Sequence, residues 1–241
     1  MSPASDGDTR VAFFGGSFDP PHLGHVAVAR AAREALHLDR VLFAPVGLQP
    51  LKPTGPSASF EDRVAMTRLA IAGQVGQTEQ TEQGGFEVSL ADAPKPGSTT
   101  PNFTVDTLTS LRESLPQETT LFLLLGADSF RALHHWHRAA ELPFLANLIV
   151  ASRPNENISD LAASLPPGIA LDPINGEPNR YRLINNAGEQ SELTILPNLH
   201  YDISATQLRN QVHGKAGSKT GRKPLLDPAV LAYIRQHHLY E

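Results

Sequence analysis

The chain has 241 residues, of which 40% are hydrophobic and 19% charged, with a formal net charge of -5 and no cysteine. This size and composition predict a single globular domain, and they exclude disulfides and thiolate metal sites. The negative charge is unlike the basic footprint of proteins that bind duplex nucleic acid, and no run of about 20 apolar residues predicts a membrane span.

The first ten residues, "MSPASDGDTR", are polar and acidic. The apolar run that follows them is too short for the core of a signal peptide. The sequence therefore predicts a cytoplasmic protein with neither a nucleic acid nor a membrane as its partner.

Short apolar runs then alternate with helical patterns along the chain. The runs that predict strands are "VAFF" at 11–14, "RVLFAP" at 40–45, "LFLLLG" at 121–126, "NLIVAS" at 147–152 and "ELTILP" at 192–197. Helical patterns lie at 22–36, 59–73, 104–115 and 226–239. Because continuous apolar strands separated by helices are typical of a sheet covered on both faces, we expect an α/β protein with a doubly wound, mostly parallel sheet.

Three segments interrupt this alternation, at 73–101, 154–191 and 213–223. They are rich in Gly, Pro, Asn, Gln or Thr, which favours turns over regular structure. We expect them to be long surface loops inserted into one domain that spans residues 1–241.

The first motif is "GGSFDPPHLGH" at 15–25, directly after the first predicted strand. Gly15 and Gly16 permit close backbone approach or an unusual φ. Asp19 is suited to cap a helix and Pro20 to its first position, which would place His22 and His25 in the first turns, on one face. Free backbone N–H groups and the helix dipole make such a position an anion site, and imidazoles there can donate hydrogen bonds to phosphate.

Two other interpretations of this motif stay open. Two histidines at i and i+3 could share a zinc ion, although neither a neighbouring glutamate nor a cysteine accompanies them. Both histidines could also simply cap and pack the helix. The spacing matches neither GxGxxG nor GxxxxGK[ST], so the sequence does not support a dinucleotide fingerprint or a P-loop.

The second motif is "ISATQLR" at 203–209, after the last predicted strand. Ser204 and Gln207 have the spacing of a capping box, and Thr206 and Arg209 lie close by. A helix start with two hydroxyls and an arginine indicates a second phosphate site, although an ordinary capped helix would have the same pattern.

Together the two motifs resemble the HxGH and ISSTxxR signatures of the nucleotidylyltransferase superfamily, with Ala205 in place of the second serine. Within it the chain is most similar to the bacterial nicotinate-nucleotide adenylyltransferase family. The further matches are "EDRVAM", "FTVDTL", "GADSFRALHHW", "VASRP" and "DPAVLAYIRQHHLY", so the resemblance spans nearly the whole chain.

The resemblance implies a Rossmann-like fold and transfer of an adenylyl group from ATP to nicotinate mononucleotide in NAD biosynthesis. It implies Mg²⁺ as the cofactor, bound with ATP and without a direct protein ligand. The alternatives left open are nicotinamide mononucleotide or phosphopantetheine as the acceptor, a nucleotide-binding regulator without turnover, and zinc-dependent hydrolysis.

The resemblance also assigns roles to individual residues. The implied catalytic groups are His22, His25, Lys52 and Arg209. The implied ATP-binding groups are Gly15, Gly16, Ser17, Phe18, His22, His25, Gly126, Asp128, Ser204, Thr206 and Arg209. The implied acceptor-binding groups are Lys52, Thr104, Trp136 and His137. Asp128 could bind a ribose hydroxyl or the metal's waters, or it could only cap a helix.

Two departures from the family pattern concern the acceptor. The segment "LADAPKPGSTTPNF" at 90–103 stands where the family carries a glutamate and an arginine, and His137 stands where the family carries an aromatic residue. The sequence therefore leaves the choice of pyridine nucleotide more open than the class of reaction.

Overall fold

The computed structural model describes residues 9–49, 55–73, 85–95, 97, 99–152, 163–197, 208–209 and 225–241. The strands within these ranges are β1 (Arg10–Gly16), β2 (Arg40–Pro45), β3 (Phe86–Val88), β4 (Thr120–Gly126), β5 (Asn147–Ala151), β6 (Ile169–Pro173), β7 (Arg180–Asn185) and β8 (Gln190–Leu196). The α-helices are α1 (Leu23–Leu36), α2 (Phe60–Ala72), α3 (Thr104–Ser114), α4 (Ala127–Arg131), α5 (Leu142–Leu145) and α6 (Pro228–Gln236). Short 3₁₀ turns lie at Leu133–His135 and Ala139–Glu141.

The strands form one sheet in the order β3-β2-β1-β4-β5-β8-β7-β6. Pairing is parallel from β3 across to β8, and β8, β7 and β6 pair antiparallel. The predicted doubly wound, mostly parallel sheet is therefore confirmed. None of the described helices is both long and apolar enough to cross a membrane.

The two faces of the sheet carry separate cores because side chains alternate along each strand. From β1, Ala12 and Phe14 pack with α1, α2 and α6 on one face. Val11 and Phe13 pack with α3 and the α4–α5 segment on the other. Both faces of the central strands are covered, which explains why these strands are continuous apolar runs in the sequence.

Two of the segments expected to be loops contain strands. The range 73–101 includes β3, which pairs with β2 at the edge of the sheet, and the range 154–191 includes β6, β7 and the start of β8. Both expectations were wrong for the same reason. These strands are short or partly exposed at one end of the sheet, so they lack the continuous apolar run that marks a buried strand. The third segment, 213–223, lies outside the described residues, and the division into domains stays a prediction.

An opening lies between β1 and β4, where the order of the strands reverses. These strands pair only from Arg10↔Thr120 to Phe13↔Leu123. Beyond that point, residues 14–16 pair with β2 alone and residues 124–126 pair with β5 alone. The sheet therefore splits at the carboxyl ends of its two central strands, which is where open α/β sheets bind ligands.

Candidate active site

Gly15 and Gly16 lie inside β1 and not in the loop after it. Neither glycine has a positive φ, so of the two expected reasons for these glycines the unusual φ was wrong; the left-handed residue within this motif is Phe18, at φ 46°. Both positions favour glycine because a side chain there would be crowded by a neighbouring ring. An added Cβ would meet the ring of Phe13 at 3.0 Å from Gly15 and the ring of Phe18 at 3.2 Å from Gly16. The glycines thus let two buried phenylalanine rings lie against the strand that borders the opening.

The histidine pair forms the start of α1. His22 is the N-cap, its side chain accepts from the backbone N–H of His25, and the His25 side chain accepts from the backbone N–H of His22. The N···Nδ1 distances are 3.3 and 3.2 Å, and the two rings stack with their centroids 3.6 Å apart. The expectation that Asp19 would cap this helix and Pro20 would begin it was wrong, because the imidazoles fill the capping positions themselves.

This capping arrangement determines which nitrogen of each imidazole ring carries the proton. In each ring Nδ1 accepts a hydrogen bond, so in the neutral form the proton is on Nε2. Burial lowers the pKa of His22 to about 4, and burial followed by the proximity of His22 lowers the pKa of His25 well below its ordinary value. At neutral pH the pair is therefore uncharged and carries two Nε2–H donors, and its Nδ1 lone pairs are occupied, which weakens the zinc interpretation.

Arg209 brings the second motif to the same place. Its Nη1 donates to the backbone carbonyl of Asp19 at 2.6 Å and lies 3.7 Å from the Asp19 carboxylate. Nearby, the backbone N–H of Leu23 donates to the carbonyl of Leu225 at 3.0 Å. The last residue of "ISATQLR" thus contacts the loop that ends in the histidine pair. Ser204, Thr206 and Lys52 lie outside the described residues.

Sequence reasoning missed a polar network around Asp19, a residue that is only 3% exposed. Its carboxylate accepts from the backbone N–H groups of Ser57 and Ala58 at 2.7 and 3.1 Å and from the hydroxyl of Tyr240 at 2.7 Å. Beside it, the buried Arg63 donates to the carbonyl of Ser17 at 2.8 Å. The signal for this network in the sequence is a carboxylate inside a motif that has no other charged residue apart from its histidines.

Across the opening, β4 ends at Gly126, which is the N-cap of α4 and has no side-chain cap. A Cβ added at Gly126 would meet nothing within 4 Å, so packing within the protein does not require a glycine there. Asp128 is exposed and its carboxylate pairs with Arg131 at 2.6 Å. The N-cap of this helix is Gly126, and the roles predicted for Asp128, which are to bind a ribose hydroxyl or the metal's waters or only to cap the helix, stay predictions.

The predicted acceptor residues that the structure describes lie on two neighbouring segments. Thr104 is the first residue of α3, whose N-cap Phe103 makes no side-chain cap hydrogen bond. The ring of His137 packs on the ring of Phe103 with their centroids 4.3 Å apart. Trp136 follows a 3₁₀ turn and packs, partly exposed, against the core on that face. A helix start without a side-chain cap thus lies beside two adjacent ring side chains.

A second buried network supports this region. Asn102 exchanges hydrogen bonds with the backbone of Leu48 and donates to the carbonyl of Ala93. Asp92 accepts from the hydroxyl of Thr107 at 2.9 Å, and burial raises the pKa of its carboxyl group. These contacts tie the loop after β2 to the first turn of α3.

The part of the chain that the structure describes contains no group of three or more His, Asp or Glu side chains placed to hold a metal ion. The prediction that Mg²⁺ has no direct protein ligand is not tested by this observation. It stays a prediction.

Comparison with known proteins identifies close relatives. A family model described as cytidylyltransferase-like matches residues 13–211. The chain is 37% identical over 234 residues to a probable nicotinate-nucleotide adenylyltransferase of Gloeobacter violaceus, an alignment that covers 96% of each protein. It is 36% identical over 230 residues to a protein of the same name from Laribacter hongkongensis, covering 95% of this chain and 94% of the relative.

Solved structures with low sequence identity share the fold. The nicotinic acid mononucleotide adenylyltransferase of Plasmodium falciparum, complexed with NaAD, matches with a TM-score of 0.69 at 17% identity. The match covers 96% of this chain and 97% of that one. At this identity the likeness supports the fold and nothing more.

Proposed function

The chain belongs to the nicotinate-nucleotide adenylyltransferase family, within the cytidylyltransferase-like group, and we propose that it joins nicotinate mononucleotide to the AMP part of ATP. The products are nicotinate adenine dinucleotide and pyrophosphate. One observation of the site carries the proposal. Two neutral imidazole donors lie at a helix start beside the split in the sheet, and Arg209 contacts the loop that leads to them.

The reaction needs no protein nucleophile. A phosphate oxygen of nicotinate mononucleotide forms a bond to the α-phosphorus of ATP, and the bond from that phosphorus to pyrophosphate breaks. Catalysis then consists of holding two anionic reactants in line and stabilising charge on the transferring group and on the departing pyrophosphate.

We assign this task to the phosphate side of the site, defined as His22, His25 and Arg209. The histidines donate through Nε2–H to oxygens of the triphosphate. Because both rings are held at Nδ1 by the backbone, these donors are oriented before ATP binds. Arg209 supplies the positive charge that the neutral histidines lack, and we propose that Lys52, Ser204 and Thr206 add further phosphate contacts.

The opening between β1 and β4 would receive the rest of ATP. Gly15 and Gly16 end β1 on one side of it, and Gly126 ends β4 on the other. An open space at the missing Cβ of Gly126 suits direct contact between a ligand and the backbone.

We propose that Mg²⁺ enters the site bound to ATP. Bound to the triphosphate, Mg²⁺ would neutralise charge on the phosphate oxygens. The exposed carboxylate of Asp128, at the carboxyl end of β4, would bind one of its waters or a ribose hydroxyl.

The acceptor side, defined as Thr104, Trp136 and His137, would hold nicotinate mononucleotide. The start of α3 offers backbone N–H groups to the nicotinate carboxylate, because no side chain caps it. Trp136 would stack on the pyridine ring, which is a favourable arrangement for two planar rings. His137 packs on Phe103, next to Thr104, and would border the acceptor on one side.

The test is to follow pyrophosphate release from ATP and Mg²⁺ with nicotinate mononucleotide, nicotinamide mononucleotide or phosphopantetheine as acceptor. We expect turnover to be fastest with nicotinate mononucleotide. Preference for another acceptor would overturn the choice of substrate, and ATP binding without turnover on any acceptor would favour a regulator.

A further inference from the structure

The last residues of the chain reach the loop that carries the histidine pair. After α6 the chain turns through residues with positive φ at His238 and Tyr240, and the hydroxyl of Tyr240 donates to Oδ1 of Asp19 at 2.7 Å. The two residues are 221 positions apart. Burial, together with the hydrogen bond to Asp19, raises the pKa of Tyr240, so its hydroxyl stays a donor at any physiological pH.

Asp19 contacts two other parts of the chain besides the C-terminus. Its carboxylate accepts from the backbone of Ser57 and Ala58, just before α2, and it lies 3.7 Å from Nη1 of Arg209. The carbonyl of the same residue accepts from Arg209 at 2.6 Å. Since Asp19 is almost fully buried, water cannot replace a lost partner easily.

We propose that Tyr240 is a positioning residue for ATP, which acts through Asp19 to fix Arg209 and the approach to His22. The proposal rests on the proposed function, in which Arg209 contacts the triphosphate. Without the hydroxyl, the longer bond from Ala58 is the one that Oδ1 of Asp19 keeps among the described residues. The carboxylate can then rotate toward Arg209 and draw the guanidinium away from the ligand.

The packing of the C-terminus indicates that the hydrogen bond from Tyr240 to Asp19 is not needed merely to attach the C-terminus to the domain. The C-terminal turn already packs against the core through Leu239 and Tyr240, and α6 packs through Val230 and Ile234. Apolar burial therefore attaches the C-terminus without help from the hydroxyl. The hydroxyl adds a directed hydrogen bond to a charged group, and such bonds fix geometry as well as energy.

The chain provides a matched control. Tyr233, on α6, also donates to a carboxylate, Oδ1 of Asp62, at 3.0 Å. Asp62 belongs to α2, and within the described residues its side chain hydrogen-bonds to Ser59 and Tyr233 and not to the loop of residues 17–22. Tyr233→Phe thus removes the same group from the same end of the chain without touching Asp19.

The experiment compares Tyr240→Phe, Tyr233→Phe and the unmodified protein. We expect Tyr240→Phe to raise the KM for ATP about tenfold, because a hydrogen bond to a buried charge is lost, and to leave the KM for nicotinate mononucleotide within about twofold. Tyr233→Phe should leave both constants within about twofold. A variant that ends at Leu239 should raise the KM for ATP at least as much as Tyr240→Phe does.

Binding of a non-hydrolysable ATP analogue, measured by calorimetry, separates this proposal from the proposed function. If the unmodified protein shows no turnover but Tyr240→Phe still weakens the analogue about tenfold relative to Tyr233→Phe, the positioning role holds and the assigned reaction fails. Equal analogue affinity in the two variants would overturn the positioning role, as would a drop in affinity for ATP and acceptor alike.

Discussion

The phosphate side and the acceptor side of the site are built differently. On the phosphate side, His22 is 7% exposed, its ring stacks on His25, and Arg209 is anchored to the buried Asp19. On the acceptor side, Trp136 is only partly buried and His137 is exposed. Buried polar groups with fixed partners suit a ligand that is always the same, the triphosphate. Exposed rings can be exchanged at little cost in stability, so this is the side where we expect acceptor choice to vary.

The largest effect should come from the phosphate side. His25→Ala removes one Nε2–H donor, and loss of a donor to developing charge typically lowers kcat by about 100- to 1,000-fold. The fold should persist, because His22 remains the N-cap and the lost hydrogen bond from its backbone N–H to His25 costs about 1 kcal/mol. Steady-state kinetics together with circular dichroism test this. A folded variant with near-normal kcat would contradict the role of His25.

Trp136→Ala should weaken the binding of the acceptor and leave the binding of ATP unchanged. Stacking of a ring on an aromatic side chain is worth about 1–3 kcal/mol, so the KM for nicotinate mononucleotide should rise about tenfold or more. The KM for ATP should stay within about twofold, and Trp136→Phe should recover most of the loss. If the KM for ATP rose in parallel, the two sides would not be independent.

Gly126→Ala tests whether ATP approaches the backbone at the end of β4. The added Cβ meets nothing in the protein, so we expect the free enzyme to be as stable as before or more stable by about 0.4–1 kcal/mol. If ATP approaches this backbone, the KM for ATP should rise about tenfold. Thermal unfolding with and without ATP measures both effects. Unchanged ATP affinity would show that the ligand does not pass this position.

The smallest effect concerns pH and comes from the depressed pKa values of the histidine pair. Below the ordinary histidine pKa of 6.5, the unfolded chain binds protons that the folded chain does not, until pH reaches about 4 for His22. The contribution of the neutral histidines to the free energy of unfolding is fully present above pH 6.5. It is lost as the pH falls from 6.5 toward the pKa of the folded state. Between pH 7.5 and 5.5 we expect a loss of about 1 kcal/mol for each histidine.

Denaturant unfolding at the two pH values checks this prediction. His22→Asn keeps a side chain suited to the N-cap but removes one titrating group, so its loss should be smaller by about 1 kcal/mol. An identical pH dependence in the variant and the unmodified chain would contradict the assignment of a neutral imidazole.

The sequence alone predicted much of the fold and less of the site. The strands at 40–45 and 121–126 and the helix starts at Leu23 and Thr104 follow within one residue of the predicted patterns, because buried strands and amphipathic helices carry strong local signals. The strands β3, β6 and β7 were missed, since pairing with a neighbour decides them and their own side chains do not.

For the site, the sequence by itself predicted which residues carry the chemistry, and these assignments stay predictions: the motif containing His22 and His25, the arginine of the second motif, and the lone tryptophan. Only the tertiary structure decided how they are held. That the histidines cap their own helix, that the opening lies where β1 and β4 part, and that Tyr240 contacts Asp19 all depend on contacts between distant segments. Such contacts leave no period or spacing in a single sequence, because they are chosen by packing and hydrogen-bond satisfaction in the folded chain.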